Sequence, residues 1–416
     1  MPAAVRFVAE EKLLSCVHCG LCHSACPTYL ELGTEADSPR GRIHLLRGLE
    51  EGRFAPTPEV VRHLDLCLGC RSCETACPSG VPYGQLIEAA RPWLEGHRPA
   101  RARALRRALG RALTTRWLRA VAFAPARLVA GRRWLARLGS LGAYAAALPR
   151  GGHAPLPAVL EPEGVPRGSV ALITGCVADT LFGATNHATA ALLRRAGLRV
   201  LVPPAQGCCG ALPLHLGDRG RAAALAGELA RTLAATGADF VVTNAAGCGA
   251  LVREWGHLLP GDPMAADVAA RTRDALELLA QLGLPPAPRR IEAAIAVHDP
   301  CHLAHGQGVR AEVRTLLAAV PGVRLVDLEE SDICCGSAGT YNLTEPAMAA
   351  RLLARKLEHV AASGASIVAA ANPGCLLQMR AGAIARGLAV AVEHPLDLLA
   401  RAHGVGSRLS PSGTLW

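Results

Sequence analysis

A chain of 416 residues is long enough to form two or three domains, each with its own core. The net charge is +10, yet only 3% of residues are aromatic and no nucleic-acid-binding motif is present, so we expect no nucleic-acid partner. No stretch of about eighteen residues is both apolar and uncharged, which argues against a membrane span. The opening MPAAVRFVAEEKLL lacks the features of a signal peptide, so we expect the sixteen cysteines in the reducing cytoplasm, as ligands rather than disulfides.

Two cysteine runs near the N-terminus have the same spacing. CVHCGLCHSACP at 16–27 and CLGCRSCETACP at 67–78 both follow C-x2-C-x2-C-x3-C-P, the pattern of bacterial ferredoxins. The first run also contains a CxxCH haem motif, but covalent haem attachment usually occurs outside the cytoplasm. Zinc would need two pairs of thiolates rather than three cysteines and a displaced fourth. Two runs in tandem therefore predict two [4Fe–4S] clusters.

In two-cluster ferredoxins, the first three cysteines of a run hold one cluster and the fourth holds the other. Helix signals at Ser38-Pro39 and over 58–66 lie between the runs, so we predict an all-helical ferredoxin domain over residues 1–95. The resemblance to two-cluster ferredoxins implies two ligand sets: Cys16, Cys19, Cys22 and Cys77 for the first cluster, and Cys67, Cys70, Cys73 and Cys26 for the second.

Thirteen arginines and no acidic residue lie between positions 96 and 150. Leucines, alanines and two tryptophans recur among them every three or four residues, which is typical of basic amphipathic helices, and we predict breaks near Pro125 and Gly131. Residues 96–165 are therefore predicted to be a linker. Two interpretations stay open: its helices pack on this chain or a partner subunit, or they contact an anionic membrane surface within reach of quinone.

The second half of the chain contains a duplicated cysteine pattern. A cysteine, a Cys-Cys-Gly triplet and a further cysteine recur, and equivalent cysteines are 125, 126 or 127 residues apart. Short β-rich runs such as SVALITGC and AAIAVHDPC precede the cysteines, and helical patterns cover 219–235 and 345–362. These features predict two α/β domains with parallel sheets, residues 166–285 and 286–416, in a protein that is α+β overall.

Ligands bind at the carboxyl ends of parallel strands, where several of these cysteines are expected to lie. Buried structural thiols are the alternative interpretation, because a cysteine without a ligand role packs as a small apolar residue. The candidate metal ligands of the two copies are Cys176, Cys208, Cys209 and Cys248, followed by Cys301, Cys334, Cys335 and Cys375.

With both features in place, the chain resembles the iron–sulfur subunits of glycolate oxidase complexes over nearly its whole length. The resemblance rests on CVHCG and CPTY, PRGRI, CETACPSG, GCCGA, AAGCGALV and, most specifically, CCGSAGTYNLT at 334–344. It implies an N-terminal ferredoxin module followed by two CCG domains, the cysteine-rich type also found in heterodisulfide reductase.

One departure from the heterodisulfide reductase pattern concerns the end of each repeat. Those repeats close with CxxC, whereas here Leu251 and Gln378 stand where the fifth cysteine would be. This counts against a non-cubane cluster and leaves four thiolates per CCG domain for one further cluster or a zinc ion. The segment HDPCHLAH places His298, Asp299, His302 and His305 beside Cys301, and we expect them to form hydrogen bonds around the site, with histidine ligation or a proton relay as the alternative.

The resemblance implies an electron-transfer subunit of a glycolate oxidase (glycolate dehydrogenase) complex, with no catalytic residue of its own. The sequence shows no dinucleotide-binding or Walker motif, so we expect the hydride acceptor, FAD, in a separate subunit that oxidises glycolate to glyoxylate, beside a second FAD-binding-type subunit. This chain would pass electrons toward quinone, in the cytoplasm or peripherally on the inner membrane. The alternatives are the iron–sulfur subunit of a lactate-utilisation or anaerobic glycerol-3-phosphate dehydrogenase complex, and a redox sensor or scaffold.

Overall fold

The computed structural model describes residues 7–150, 153–204 and 206–405. Residues 1–6, which begin the predicted first domain and the opening segment MPAAVRFVAEEKLL, lie outside the described residues. So do residues 151–152 of the predicted linker and residues 406–416 at the end of the predicted last domain. A helical N-terminal region precedes two domains built on mainly parallel sheets, so the predicted fold class is confirmed.

The N-terminal region is helical because short helices are capped between the cysteine loops. Ser38 accepts a hydrogen bond from the Gly41 amide and Pro39 occupies the first turn, as the sequence predicted. Leu46, Leu86 and other apolar side chains form the core. The described helices are α1 (Glu10–Leu14), α2 (Pro27–Leu32), α3 (Pro39–Glu50), α4 (Pro58–Asp65), α5 (Ser72–Thr75) and α6 (Tyr83–Gly96).

The arginine-rich linker also folds as helices, but one predicted break is wrong. Pro125 lies inside a helix, at an exposed position, and the helices are separated instead at Thr115, which has an extended backbone, and near Gly131. An exposed proline leaves the freed carbonyl accessible to water, so the helix continues past it. The linker contains α7 (Ala100–Thr114), α8 (Arg116–Val129), a 3-10 helix (Arg133–Leu138) and α9 (Ser140–Ala147).

The first cysteine-rich domain has a five-stranded sheet in the order β1-β3-β2-β4-β5. All its pairings are parallel except that of β1 with β3, an antiparallel edge that the sequence analysis did not predict. Its elements are β1 (Val159–Leu160), β2 (Gly168–Ile173), α10 (Val177–Arg195), β3 (Leu198–Leu201), α11 (Ala211–His215), α12 (Arg219–Ala234), β4 (Phe240–Thr243), α13 (Ala246–Arg253), α14 (Trp255–Leu258), α15 (Pro263–Arg271), β5 (Thr272–Asp274) and α16 (Ala275–Leu282).

The second cysteine-rich domain repeats this order in an all-parallel sheet, β7-β6-β8-β9. Strands of both sheets contribute to one shared apolar core, so the two copies pack directly on each other. Its elements are β6 (Ala293–His298), α17 (Cys301–Ala304), α18 (Ala311–Ala318), β7 (Val323–Val326), α19 (Tyr341–Thr344), α20 (Pro346–Ala362), β8 (Ile367–Ala370), α21 (Pro373–Arg386), β9 (Ala391–Glu393) and α22 (Pro395–His403).

The glycine of each Cys-Cys-Gly triplet is required by the backbone. Gly210 and Gly336 both have positive φ angles, 96° and 84°. A Cβ atom at either position would lie 2.7 Å from a helix carbonyl, that of Ala222 or Ala349 respectively. Only glycine fits this close approach, which holds the two preceding cysteines at the edge of the sheet.

Candidate metal centres

Both ferredoxin-type runs fold as loops with the same backbone pattern. The third and fifth residues of each run adopt left-handed conformations: His18 and Gly20 in the first, Gly69 and Arg71 in the second. Such conformations are costly for residues other than glycine and persist only where the surrounding structure requires them. The shared pattern curls each loop around its thiols, as a loop surrounding one cluster must.

Four buried thiols line one cavity in the N-terminal region. Cys26 of the first run lies there with Cys67, Cys70 and Cys73 of the second. Burial, and then the neighbouring thiols, raise the pKa of Cys73 well above its usual range, so a bound metal would be needed to keep this thiol deprotonated. The donor set fits a [4Fe–4S] cluster and brings together the four residues expected for the second cluster.

A buried cation lies beside this cavity. The Arg42 side chain is 1% exposed, and its guanidinium is 3.9 Å from Cys26 Sγ and 3.6 Å from the carboxylate of Asp37. The same guanidinium donates to Thr28 Oγ1 at 3.0 Å and to the carbonyl of His63 at 2.7 Å. Fixed positive charge next to the sulfurs stabilises the more negative, reduced form of a cluster.

The cysteines expected for the first cluster are more accessible. Cys16, Cys22 and Cys77 are half-buried and pack against the N-terminal core, whereas Cys19 is exposed. Val17 and Leu21, which flank Cys19 in the chain, are 68% and 59% exposed. The first run therefore presents one thiol and an apolar rim to solvent.

In the first cysteine-rich domain, the four predicted cysteines come together at the carboxyl edge of the sheet. Cys176 lies between β2 and α10, and its Sγ is 3.6 Å from that of Cys208. Cys209 shares hydrogen bonds with Cys208 and with Cys248, which completes a row of four thiols. The hydrogen bond to Cys208, followed by burial, raises the pKa of Cys176 well above its usual range.

The second cysteine-rich domain has the equivalent row and a histidine beside it. Hydrogen bonds join Cys301 to Cys334, Cys334 to Cys335, and Cys335 to Cys375. Hydrogen bonds from Cys334 and Cys375 lower the pKa of Cys335 well below its usual range against the opposing effect of burial, and a neighbouring histidine adds to this lowering. The pKa of Cys301 is lowered as well, chiefly by its hydrogen bond with Cys334, whereas hydrogen bonds and burial raise the pKa of Cys334 and Cys375. Cys301 and Cys335 are therefore the thiols of this row best suited to be thiolates.

His298 is the histidine that completes this second site. Its Nδ1 is 2.9 Å from the carbonyl of Ser331, and its Nε2 is buried with no hydrogen-bond partner among the described residues. One ligand atom of this imidazole lies within 4.8 Å of the sulfurs of Cys335 and Cys375. A neutral imidazole and two thiols are a donor set that suits zinc or iron.

The other polar residues of HDPCHLAH have different roles. His302 is hydrogen-bonded to Cys301. Asp299 accepts hydrogen bonds from Arg314, at 2.8 Å, and from the Ser331 hydroxyl, and His305 is 2.9 Å from Thr75 of the N-terminal region. Of the expected hydrogen bonds to the sulfur row, His302 forms one, whereas Asp299 and His305 bond to other groups and His298 lies near the sulfurs as a potential ligand.

The N-terminal region docks on both cysteine-rich domains at the second run. Cys70 packs in one apolar cluster with Cys301 and Cys334, and the Tyr341 hydroxyl donates to the carbonyl of Leu66 at 2.9 Å. Two contacts join the N-terminal region to the first cysteine-rich domain: an ion pair of Arg71 with Glu254, and a 3.0 Å contact between Arg91 Nη1 and His215 Nδ1. The His215 ring in turn contacts the ring of His302 in the second domain. The buried ferredoxin site therefore adjoins the second CCG site.

Comparison with known proteins agrees with this architecture. A 4Fe-4S dicluster domain model matches residues 12–81, and a cysteine-rich (CCG) domain model matches 170–253 and 295–380. The probable glycolate oxidase iron-sulfur subunit of Bacillus subtilis is 37% identical over 95% of both chains. That of Escherichia coli is 36% identical over 88% of this chain and 89% of its own. A lactate utilization protein A from Geobacillus kaustophilus is 30% identical, over 55% of this chain and 98% of its own.

Fold and site together define an iron–sulfur electron-transfer protein with a dicluster ferredoxin domain and two cysteine-rich domains. The chain belongs to the family of glycolate oxidase iron–sulfur subunits, so the resemblance predicted from its motifs is confirmed. Within the described residues, no helix combines the length and the hydropathy that a transmembrane segment requires.

The buried cation yields a prediction for the second cluster. Arg42→Met should lower the reduction potential of the buried cluster by roughly 60–130 mV, which corresponds to the loss of one hydrogen bond to a charged group. The potential of the other cluster should change much less, because the cysteine that Arg42 contacts, Cys26, belongs to the ligand set of the buried cluster. Redox titration followed by electron paramagnetic resonance measures both. The double variant Arg42→Met/Asp37→Asn controls for the loss of the guanidinium partner of the Asp37 carboxylate, which keeps its contact with His63.

Proposed function

We propose that this chain is the electron-transfer subunit of a complex in which a separate FAD subunit oxidises glycolate to glyoxylate and a second FAD-binding-type subunit takes part. Membership of the family and the names of the two relatives support this proposal. Clusters held by the two ferredoxin runs would supply one-electron transfer between a two-electron flavin and quinone. Complexes that act on lactate are the alternative, since lactate utilization proteins match half of the chain.

The observation that carries the proposal is the burial order of the sites. The first run presents Cys19 and an apolar rim to solvent, where a flavoprotein can dock. The second run is enclosed, and its Cys70 packs against Cys301. This arrangement supports an order in which electrons enter at the exposed site and leave by way of the enclosed site and the second CCG domain.

We propose the ligand sets that the motifs imply. The convergence of Cys26 with the second run on one cavity supports the exchange of the fourth ligand. One further cluster or zinc ion per CCG domain is held by the two thiol rows, with His298 as an added donor in the second. The sheets and linker helices are compatible with domain boundaries at about residues 95, 165 and 285.

The linker carries a surface suited to a membrane. Trp117, Trp134, Leu138 and Leu141 are 57–77% exposed, in a segment with many arginines and no acidic residue. Exposed tryptophans and leucines among cations fit an interface with anionic lipid headgroups. We therefore propose peripheral contact with the cytoplasmic face of the inner membrane through this linker surface.

The ligand exchange predicts which cluster each substitution affects. Cys26→Ser should alter the electron paramagnetic resonance signal of the buried cluster, and Cys77→Ser that of the exposed one, because each fourth ligand serves the other run. Cys19→Ser is the matched control for the exposed cluster. If Cys19→Ser and Cys26→Ser remove the same signal, the exchanged assignment is incorrect.

The need for a flavoprotein predicts an inactive isolated chain. The purified, flavin-free subunit should show no glycolate-dependent dye reduction, and adding the FAD subunit should restore it. Parallel assays with lactate identify the substrate of the partner. Glycolate oxidation by the flavin-free chain would contradict this division of labour, and preference for lactate in the reconstituted complex would favour the alternative complex.

The linker surface predicts salt-sensitive membrane binding. The chain should sediment with phosphatidylcholine vesicles that contain phosphatidylglycerol and be released by high salt, because the headgroup attraction is screened. Trp117→Ser/Trp134→Ser should reduce binding several-fold, whereas Val165→Ser/Leu343→Ser, also exposed but outside the linker helices, should not. Sedimentation only in the presence of the flavoproteins would show instead that this surface is a subunit interface.

A further inference from the structure

An arginine-lined cavity of about 470 Å³ lies where α6, α7 and the first cysteine-rich domain meet. It is separate from the sulfur sites, since no cysteine lines it. Its size is within the usual range for small-molecule pockets, about 300–1,000 Å³. Five guanidinium groups face two carboxylates around it: Arg103, Arg106, Arg107, Arg111 and Arg221 against Glu95 and Asp218.

Both carboxylates already have partners. Glu95 forms ion pairs with Arg106, at 2.7 Å, and with Arg98, at 2.5 Å. Asp218 caps α12 by accepting from the amide of Arg221 at 3.1 Å. Burial, followed by the nearby charge of Arg98, lowers the pKa of Arg106. Five guanidinium groups against two carboxylates leave the cavity lining with an excess of positive charge. The cavity therefore attracts anions despite its two acidic residues.

Three arginines of α7 are the unmatched charges. Arg103, Arg107 and Arg111 are spaced four residues apart, so they share one face of the helix, and their side chains form no hydrogen bond or ion pair with any residue that the structure describes. Like charges at this spacing repel each other. A bound anion would relieve the repulsion, and the guanidinium fork matches phosphate geometry.

The opposite wall holds a guanidinium that is already oriented. Arg221 donates through Nε and Nη2 to Thr114 Oγ1, at 3.2 and 2.9 Å, and through Nη2 to Thr115 Oγ1 at 3.0 Å. Because these bonds fix its side chain, less conformational entropy is lost when it contacts a ligand. The three arginines of α7 span about 12 Å along the helix axis, which is more than a single phosphate covers.

We propose that this cavity binds a small ligand carrying two or more phosphate groups, held between the α7 arginines and Arg221. Two sources share this chemistry: a free phosphorylated metabolite and a phospholipid headgroup. The site is independent of the electron-transfer sites, so binding is measured apart from redox activity.

The test is calorimetric titration of the full-length, cluster-loaded chain with inorganic pyrophosphate. Arg103→Gln/Arg107→Gln/Arg111→Gln should weaken binding by at least about tenfold, since it removes several charge-assisted hydrogen bonds. The control Arg101→Gln/Arg199→Gln/Arg324→Gln removes the same charge from exposed positions that do not line the cavity and should bind as the unaltered chain does. Iron content confirms that each variant is folded.

Two outcomes would overturn the proposal: no pyrophosphate binding by the unaltered chain, or equal weakening in both triple variants. A second measurement identifies the source, namely sedimentation with vesicles of phosphatidylcholine and phosphatidylglycerol. If the Arg103→Gln/Arg107→Gln/Arg111→Gln variant loses vesicle binding as well as pyrophosphate binding, the ligand is a lipid headgroup. If it loses only pyrophosphate binding, the ligand is a free phosphate compound.

Discussion

The contact of Cys70 with Cys301 and Cys334 is the constraint on which the remaining architecture depends. Thiols from two domains can share an apolar cluster only if the ferredoxin loop is pressed against the sheet edge of the second CCG domain. The hydrogen bond from Tyr341 to Leu66 and the contact of Thr75 with His305 fix that docking. The linker that follows packs on both CCG domains: Thr114 of α7 accepts a hydrogen bond from Arg221 of the first, and Tyr144 of α9 is hydrogen-bonded to Gln378 of the second.

Duplication supplied two similar thiol rows, and neighbouring residues made them different. The counterparts of His298 and His302 in the first copy, 125 positions earlier, are Ile173 and Val177. The second row therefore has imidazole donors beside its sulfurs, and it is also the row that faces the ferredoxin loop. The second copy is thus distinguished both by its histidines and by its position next to the ferredoxin loop. This fits a role in electron transfer for the second copy and a more structural role for the first.

Features encoded by local spacing were predictable, and those created by tertiary packing were not. The cysteine runs, the helix start at Ser38-Pro39 and the strands before the CCG cysteines follow from short patterns. Arg42 and Tyr341 gain their roles only when distant segments meet. Nothing in a single arginine of an amphipathic helix indicates full burial beside a sulfur. The predicted break at Pro125 failed for a related reason: solvent exposure decides whether a helix tolerates proline.

Enclosure of the second ferredoxin site also constrains how the protein matures. Cys26, Cys67, Cys70 and Cys73 are each less than a tenth exposed once the junction has formed. An inorganic cluster delivered by another protein needs access to those sulfurs, and the docked second CCG domain packs on the ferredoxin loop at Cys70. We therefore expect delivery to precede docking, so that the ferredoxin region acquires its buried cofactor while the chain is still open and closure of the junction then retains it.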